Sequence, residues 1–383
     1  MDKTGLNQWI ELDATAYRNN IAFLRRHVGT VELCAVVKAN AYGHGVLPIL
    51  HLAQEAGVDS YAVHSIDEAA VLRKQGLDKD ILLLGYTPNS RLGEALELDL
   101  GILVYDQQTL SILDETASRM GKKARVHVKV ETGTHRQGLE GGALEDLLRR
   151  LAASQSCVPE GIYTHFANIE DTTRHEYALG QMDAFEAALK TARRVGVDFR
   201  KVHSACSAAA LLFPRTYGTM VRLGIAQYGL WPSKQTYLSY VLKHGKEPAD
   251  GLRPVMTWKC RVSQVKTVPA GRHVGYGGTY LTTRETRLAI LPVGYSDGYD
   301  RGLSNLGYVL VKGRRAQVRG RVCMNLIMVD VTDIPDVRVE DEVVLLGRQG
   351  DAEIAAEDLA DLIGSINYEV VARIRESIPR FVV

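Results

Sequence analysis

At 383 residues the chain is too long for a typical single domain, and two are expected. The formal net charge is +1, from 46 basic against 45 acidic residues, which excludes the broad basic surface that nucleic-acid binding needs. A hydrophobic fraction of 46% and a charged fraction of 24% are those of an ordinary soluble globular protein. The opening run, MDKTGLNQWIELDATAYRNN, has no apolar stretch of the kind a secretory signal carries. No window approaches about eighteen consecutive apolar residues, so no membrane partner is expected. Five cysteines without CxxC spacing fit reduced thiols in a cytoplasm, not a disulfide framework or a zinc site, and no metal is expected.

From about residue 30, short apolar runs alternate with amphipathic stretches. In chain order the runs are LCAVV (33–37), SYAVH (60–64), ILLLG (81–85), GILVY (101–105), RVHVKV (125–130), GIYTHF (161–166), KVHSA (201–205) and MVRLGI (220–225). Between them, SIDEAAVLRKQG opens on Ser65 with Glu68 three residues later, a capping box. DQQTLSILDETASRM opens on the N-cap Asp106, and the longest helical stretch runs from about Thr173 to Val195. Eight strands alternating with helices predict an α/β fold, a (β/α)8 TIM barrel over residues 1–242, with an open doubly wound sheet as the alternative. Near Leu242 the pattern changes, and KHGKEPADGLRP carries the breakers of a linker. Beyond it, β-branched runs with turn signals (MTWKCRVSQVKTV, TRLAILPV, GYVLVKG, EDEVVLLG) predict a mainly antiparallel β domain over 243–383. That domain has one helix, AAEDLADLIGSI, near its end.

A barrel of this type builds its site at the C-terminal ends of its strands. Lys38 ends the first, in AVVKANAYGHG, and alternation groups it with Cys34 and Val36 on one face. A lysine projecting among apolar neighbours loses part of its charge preference, which frees a neutral amine for Schiff-base chemistry. His165 ends the sixth strand on the face of Tyr163, and Arg222 shares a face with Gly224 on the eighth. Ser207 follows the seventh strand, where it would cap the short helix SAAALLF. With the backbone around Gly224 and Ile225 it suits an anion, in the loops where barrels bind phosphate. In RVHVKVE, alternation puts His127, Lys129 and Glu131 on one face, and an inward Lys129 then needs a negative partner.

These segments, in this order, resemble the alanine racemases nearly end to end. AVVKANAYGHG is similar to the family's lysine motif for pyridoxal 5′-phosphate (PLP). The likeness continues through VKVETGTHRQG, THFAN, HSACSAAALL, VRLGIAQYGLWPS, VGYGGTY, GYSDGYDR, GRVCMN and INYEVVARI. The resemblance implies PLP as cofactor, held covalently by Lys38, which also acts as base on one face of the substrate. It makes Tyr276 the base on the opposite face, delivered to the other subunit of a head-to-tail homodimer. It places Arg222 against the pyridine nitrogen and Tyr42, Ser207, Gly224, Ile225 and Tyr368 around the phosphate. Arg136 and the backbone of Met324 receive the substrate carboxylate, and His165 stands between Tyr276 and Arg222. It also implies carbamylation of Lys129, whose anion would brace Arg136. Taken alone, Tyr276 belongs to a glycine-rich hairpin and Tyr368 to a terminal strand.

Racemisation removes a Cα proton from one face and returns one to the other, so it needs a base on each side. A phenolate base needs positive charge or hydrogen-bond donors nearby, and His165 and Arg222 are the candidates. Arginine does not surrender a proton to pyridine, which disfavours side reactions such as transamination. The chain departs from the family at Glu131, Thr134 and His135 beside Arg136, at Cys206, at Asn325 after Met324, and at Val371. Several of these line the substrate side, so a broader racemase acting on serine or basic amino acids is the alternative, while Tyr368 argues for a small pocket and alanine. A PLP-dependent decarboxylase of the same two-domain plan is disfavoured by Arg222 and Tyr276. A non-catalytic PLP protein is disfavoured by the full second domain.

Overall fold

The computed structural model describes residues 3–245 and 251–383; within the expected linker, residues 246–250 lie outside the described residues. The chain divides into two compact units. In chain order β1 (Gln8–Leu12) comes before the barrel unit, which holds eight parallel strands: β2 (Glu32–Val36), β3 (Ser60–Val63), β4 (Ile81–Leu83), β5 (Gly101–Val104), β6 (Ala124–Lys129), β7 (Cys157–Tyr163), β8 (Lys201–His203) and β9 (Met220–Leu223). From β2 to β8 each pairs with the next in sequence order, and β9 returns to β2 with Cys34 opposite Arg222. Thr219 N donates to Val202 O at 2.8 Å and Arg222 N to Ala205 O at 3.0 Å, which completes the ring between β8 and β9. The barrel is therefore the architecture, and the open sheet, which would keep two edges, is not. β3, β4 and β5 are buried along their whole length, as strands covered on both faces must be.

The helices around the barrel begin where their caps dictate. Ser65 and Glu68 form the expected capping box for Ile66–Lys74, and Asp106 accepts from Thr109 N at 2.7 Å at the start of Gln107–Met120. The long helix is Glu176–Arg194, slightly shorter than the sequence pattern. At the N-terminal ends of the strands a network of ion pairs closes the barrel: Lys201 with Asp80 (2.7 Å) and Glu32 (2.9 Å), Arg125 with Asp80 (2.6 Å), and Arg200 with Glu160 (2.8 Å). Polar groups at that end serve stability.

The second unit is mainly antiparallel, as expected, but its sequence boundary is not a single cut at 242/243. The chain through Ala16 and the segment Asn40–Ile49 both belong with Pro254–Val383. The reason is pairing: β1 lies antiparallel to Met256–Arg261 and parallel to Arg380–Val382. The sheet continues from Met256–Arg261 through Glu342–Gln349 and Tyr308–Val311 to Arg314–Gln317. A second sheet orders Gln264–Val268, Thr286–Leu291 and Ile327–Asp330. The expected helix is present as Ala356–Ile363, and a further short helix, Asn367–Ala372, follows it.

Glu11 on β1 ties this unit together electrostatically, 2.9 Å from Lys259 and bonded to Lys3 and Trp9 Nε1. Burial pushes its carboxyl up, but the bonds from Lys3, Trp9 and Lys259 outweigh that and bring it down to about 2. A depressed carboxyl contributes stability that is complete above its unfolded value of 4.5 and lost as pH falls from there towards 2. Chemical denaturation of Glu11→Gln should show a smaller loss of stability across that window than the parent chain. An equal loss in both would show that Glu11 carries none of it.

Candidate active site

At the C-terminal mouth of the barrel the structure gathers Lys38, Arg136, His165, Ser207, Arg222, Gly224 and Lys129. Lys38 is not on the face of β2 as alternation suggested, because the strand ends at Val36. Instead it opens a left-handed turn, in which Ala39, Asn40, Ala41 and Tyr42 all have φ of 52–53°. That conformation costs L-residues roughly 1–2 kcal/mol each, so the surroundings must hold it. Glu68 accepts from Ala39 N at 2.6 Å, Asn40 Oδ1 accepts from Val46 N at 2.8 Å, and His44 N donates to Ala41 O at 3.0 Å. Arg380 Nη2 donates to Gly43 O at 2.8 Å, and a Cβ on Gly43 would lie 1.9 Å from Val371 O. The end of β2 is pinned as firmly, since Gln227 Nε2 and Tyr228 Oη both donate to Val36 O at 3.0 Å. Burial, then the positive charge of Arg136, holds the Lys38 amine below its ordinary range; Glu68 opposes this.

Arg222 is buried, and its side chain is almost fully committed. Nη1 faces His203 Nδ1 (2.6 Å) and His203 O (3.0 Å), while Nη2 faces Thr164 O (2.9 Å), Ser204 O (3.1 Å) and His165 Nδ1 (3.4 Å). These bonds leave Nε–H as its uncommitted donor among the described residues. Guanidinium nitrogens only donate, so His165 Nδ1 accepts and the imidazole carries its proton on Nε2. Burial, reinforced by Arg222, pushes His165 well below its ordinary value and keeps it neutral.

Ser207 does not cap the helix Ser207–Leu212; Cys206 holds that position and Ser207 is the first helical residue. Its hydroxyl instead accepts from Gly224 N (3.0 Å) and Ala226 N (3.3 Å), which draws together the loops after β8 and β9. Ile225 opens the short 3-10 turn Ile225–Tyr228 beside them. Glu131 accepts from Gly133 N at 2.5 Å and Arg136 N at 3.3 Å, and so shapes the loop that carries Arg136. Thr134 Oγ1 donates to His165 O at 2.6 Å. Lys129 is buried inside the barrel, with Nζ 4.3 Å from the centre of the Tyr163 ring, and has no ion-pair partner among the described residues. Burial, then Arg222 and Arg136, pushes its amine well below the ordinary lysine range.

The second unit carries the remaining expected residues. Tyr276 stands in the turn between His273–Val274 and Tyr280–Leu281, and is 72% exposed. Gly275 beside it has φ of 73°, and a Cβ there would meet Met328 Cε at 2.8 Å. Met324 is also exposed, its carbonyl accepting from Ser296 N (3.0 Å) and Ser296 Oγ (2.8 Å). Asn325 Nδ2 donates to the same Ser296 hydroxyl at 2.7 Å. Tyr368 lies on the helix Asn367–Ala372, not on a strand, and its ring packs 6.2 Å from that of Tyr42. His203, Gln227 and Tyr228 were not singled out from sequence, although His203 stands in one of the eight strand runs.

The comparisons agree along the whole chain. The family model described as "Alanine racemase, N-terminal domain" matches residues 12–232, and the one described as "Alanine racemase, C-terminal domain" matches 255–382. The chain is 42% identical to an alanine racemase of Desulforamulus reducens, over 97% of this chain and 98% of that one. It is 42% identical to an alanine racemase of Symbiobacterium thermophilum, over 100% of this chain and 98% of that one. Among solved structures, the alanine racemase of Streptomyces lavendulae superposes with a TM-score of 0.93 at 36% identity, covering 100% of this chain and 98% of that one. The Bacillus anthracis alanine racemase with bound L-Ala-P gives 0.91 at 33%, covering 100% and 96%.

Proposed function

The chain belongs to the alanine racemase family of isomerases, and on that premise we propose that it interconverts L- and D-alanine by a two-base reaction with PLP. The observation that carries this reading is Arg222, whose Nη protons are all engaged and whose Nε–H is left to meet a ring nitrogen beside the lowered Lys38 amine. The residues present fit PLP: an amine for covalent attachment, a donor for the pyridine nitrogen, and a hydroxyl with neighbouring amides where barrels take phosphate. Lys38 would hold it, with Tyr42, Ser207, Gly224, Ile225 and Tyr368 around its phosphate. When bound, the cofactor supplies an electron sink that acidifies the Cα–H of the attached amino acid.

Lys38 Nζ takes or returns the Cα proton on one face, and Tyr276 of the partner subunit does so on the other. His165, with its proton on Nε2, donates towards that phenolate and steadies it. Arg136 and the Met324 backbone N–H receive the carboxylate. The strong exposure of Tyr276 in a single chain supports a head-to-tail homodimer, in which the phenol is covered. Two of the departures spend their side chains inside the protein, Thr134 on His165 O and Asn325 on Ser296, and so do not themselves call for a larger substrate than alanine. We place the enzyme in the cytoplasm; no helix among the described residues is long and apolar enough to cross a membrane.

Lys129 deepens the reading. Its neutral amine adds to CO2, the new N–C bond releases one proton to solvent, and the resulting carbamate braces Arg136. Lys129→Ala should then lower kcat by about ten-fold, with partial recovery on adding acetate, since a charged hydrogen bond is worth roughly 1.5–3 kcal/mol. Unchanged turnover would remove the role. The function itself is tested by incubating the PLP-loaded protein with L-alanine, serine, lysine and ornithine in D2O. Cα deuteration and D-product with alanine support it; exchange with none of them overturns it.

A further inference from the structure

Beneath the mouth, the barrel interior holds polar side chains that no binding role uses. Arg222 Nη1 is 2.6 Å from His203 Nδ1, His203 Nε2 is 3.3 Å from His127 Nδ1, and His127 Nε2 is 4.0 Å from Glu160 Oε2. An arginine only donates, so His203 Nδ1 accepts and its proton sits on Nε2. That proton is given to His127 Nδ1, which places the proton of His127 on Nε2, facing Glu160. A single group at the mouth thus sets the tautomer of both histidines down to the barrel floor. Burial first, then neighbouring cations, pushes His203 well below its ordinary value and His127 to about 3, so neither is an imidazolium near neutral pH.

Two independent features show that this line is built into the fold. His127 occupies a slot made by glycines on both neighbouring strands: a Cβ on Gly161 would lie 2.1 Å from its Nδ1, and one on Gly101 would lie 3.0 Å from its Nε2. At the lower end, Tyr61 Oη is buried without a hydrogen-bond partner among the described residues, while Glu160 Oε2 and Arg125 Nε are buried with ion-pair contacts only, to Arg125 Nη1 at 3.4 Å and to Asp99 Oδ1 at 3.2 Å, neither aligned as a hydrogen bond; their side chains line one small cavity with His127. A small polar cavity whose lining groups lack well-aligned hydrogen bonds is the kind that binds a water.

We propose that Arg222, His203, His127 and Glu160 form a hydrogen-bond chain of fixed direction through the barrel, joined by water between His127 and Glu160, in which His127 is a positioning residue for Arg222. The chain holds His203 as an acceptor. A His203 free to carry its proton on Nδ1 would face Arg222 with a donor, and the guanidinium would lose the bond that aims Nε–H into the mouth. Since none of these groups touches the amino acid, the loss falls on kcat and leaves KM nearly unchanged.

Neutron diffraction from crystals of the PLP-loaded protein tests the direction without any turnover. Deuterons on Nε2 of both histidines, with a water between His127 and Glu160, are expected; a deuteron on Nδ1 of either histidine overturns the proposal. The kinetic arm rests on the racemase reading above. There, His127→Leu should lower kcat about ten-fold, the size of one net hydrogen bond, and His127→Asn, whose Oδ1 replaces Nδ1 as acceptor, should restore most of it. Equal losses in the two variants overturn the positioning role. If His127→Leu fails to fold, the deuteron positions decide alone, and if the deuterons are as expected while no amino acid racemises, it is the racemase reading that falls.

Discussion

Tyr276→Phe is expected to lower alanine racemisation by about a thousand-fold, in the range that a general acid–base group contributes. The phenol is 72% exposed in the single chain, so removing its hydroxyl should leave folding and cofactor content unchanged. The finer expectation concerns hydrogen exchange. With Lys38 intact, one enantiomer of alanine should still exchange its Cα proton with solvent, while the other becomes inert and no inversion occurs. Exchange retained equally by both enantiomers would mean that Tyr276 is not the base of one face.

Lys38→Ala is expected to cost more, about 10⁴-fold or beyond, because on the proposed reading it removes both the covalent anchor and the opposite base. The substitution itself should be tolerated: the strained φ values begin at Ala39, and the turn is held by Glu68, Asn40, His44 and Arg380 and not by the lysine side chain. Dialysis should then strip PLP from the variant but not from the parent chain. Covalently retained cofactor in Lys38→Ala would assign the attachment to another amine, and buried Lys129 would be the first to examine.

Much of the fold was legible because parallel strands buried on both faces appear as near-continuous apolar runs, as SYAV and GILV do here. Ring closure was not, since the bonds between β8 and β9 depend on geometry that spacing does not encode. The discontinuous second unit was hidden for a similar reason: QWIEL alternates like a strand, but nothing local says that its partners are Met256–Arg261 and Arg380–Val382. Tyr368, taken alone, belonged to a terminal strand; tertiary packing makes its segment the helix Asn367–Ala372.

The candidate site residues were legible as types and as an ordered set, and the surprises lie in how they are held. No glycine between residues 39 and 42 announces a left-handed turn, so the conformation that presents Lys38 could not be read from local rules. Ser207 looked like a helix cap because small hydroxyl residues before an apolar run usually are; here its oxygen serves the Gly224 and Ala226 amides. His127 and His203 are indistinguishable in sequence from ordinary core histidines. Only the close approach of Gly161 to one and of Arg222 to the other sets them apart.

Whether each site takes Lys38 from one chain and Tyr276 from the other is decided by mixing the two inactive variants. Lys38→Ala and Tyr276→Phe chains, unfolded together and refolded with PLP, form hybrid dimers in which one of the two sites is intact. Random pairing in a two-fold dimer should restore about one quarter of parental activity. Activity no higher than the sum of the separate variants, with hybrid dimers verified by mass, would contradict the shared site.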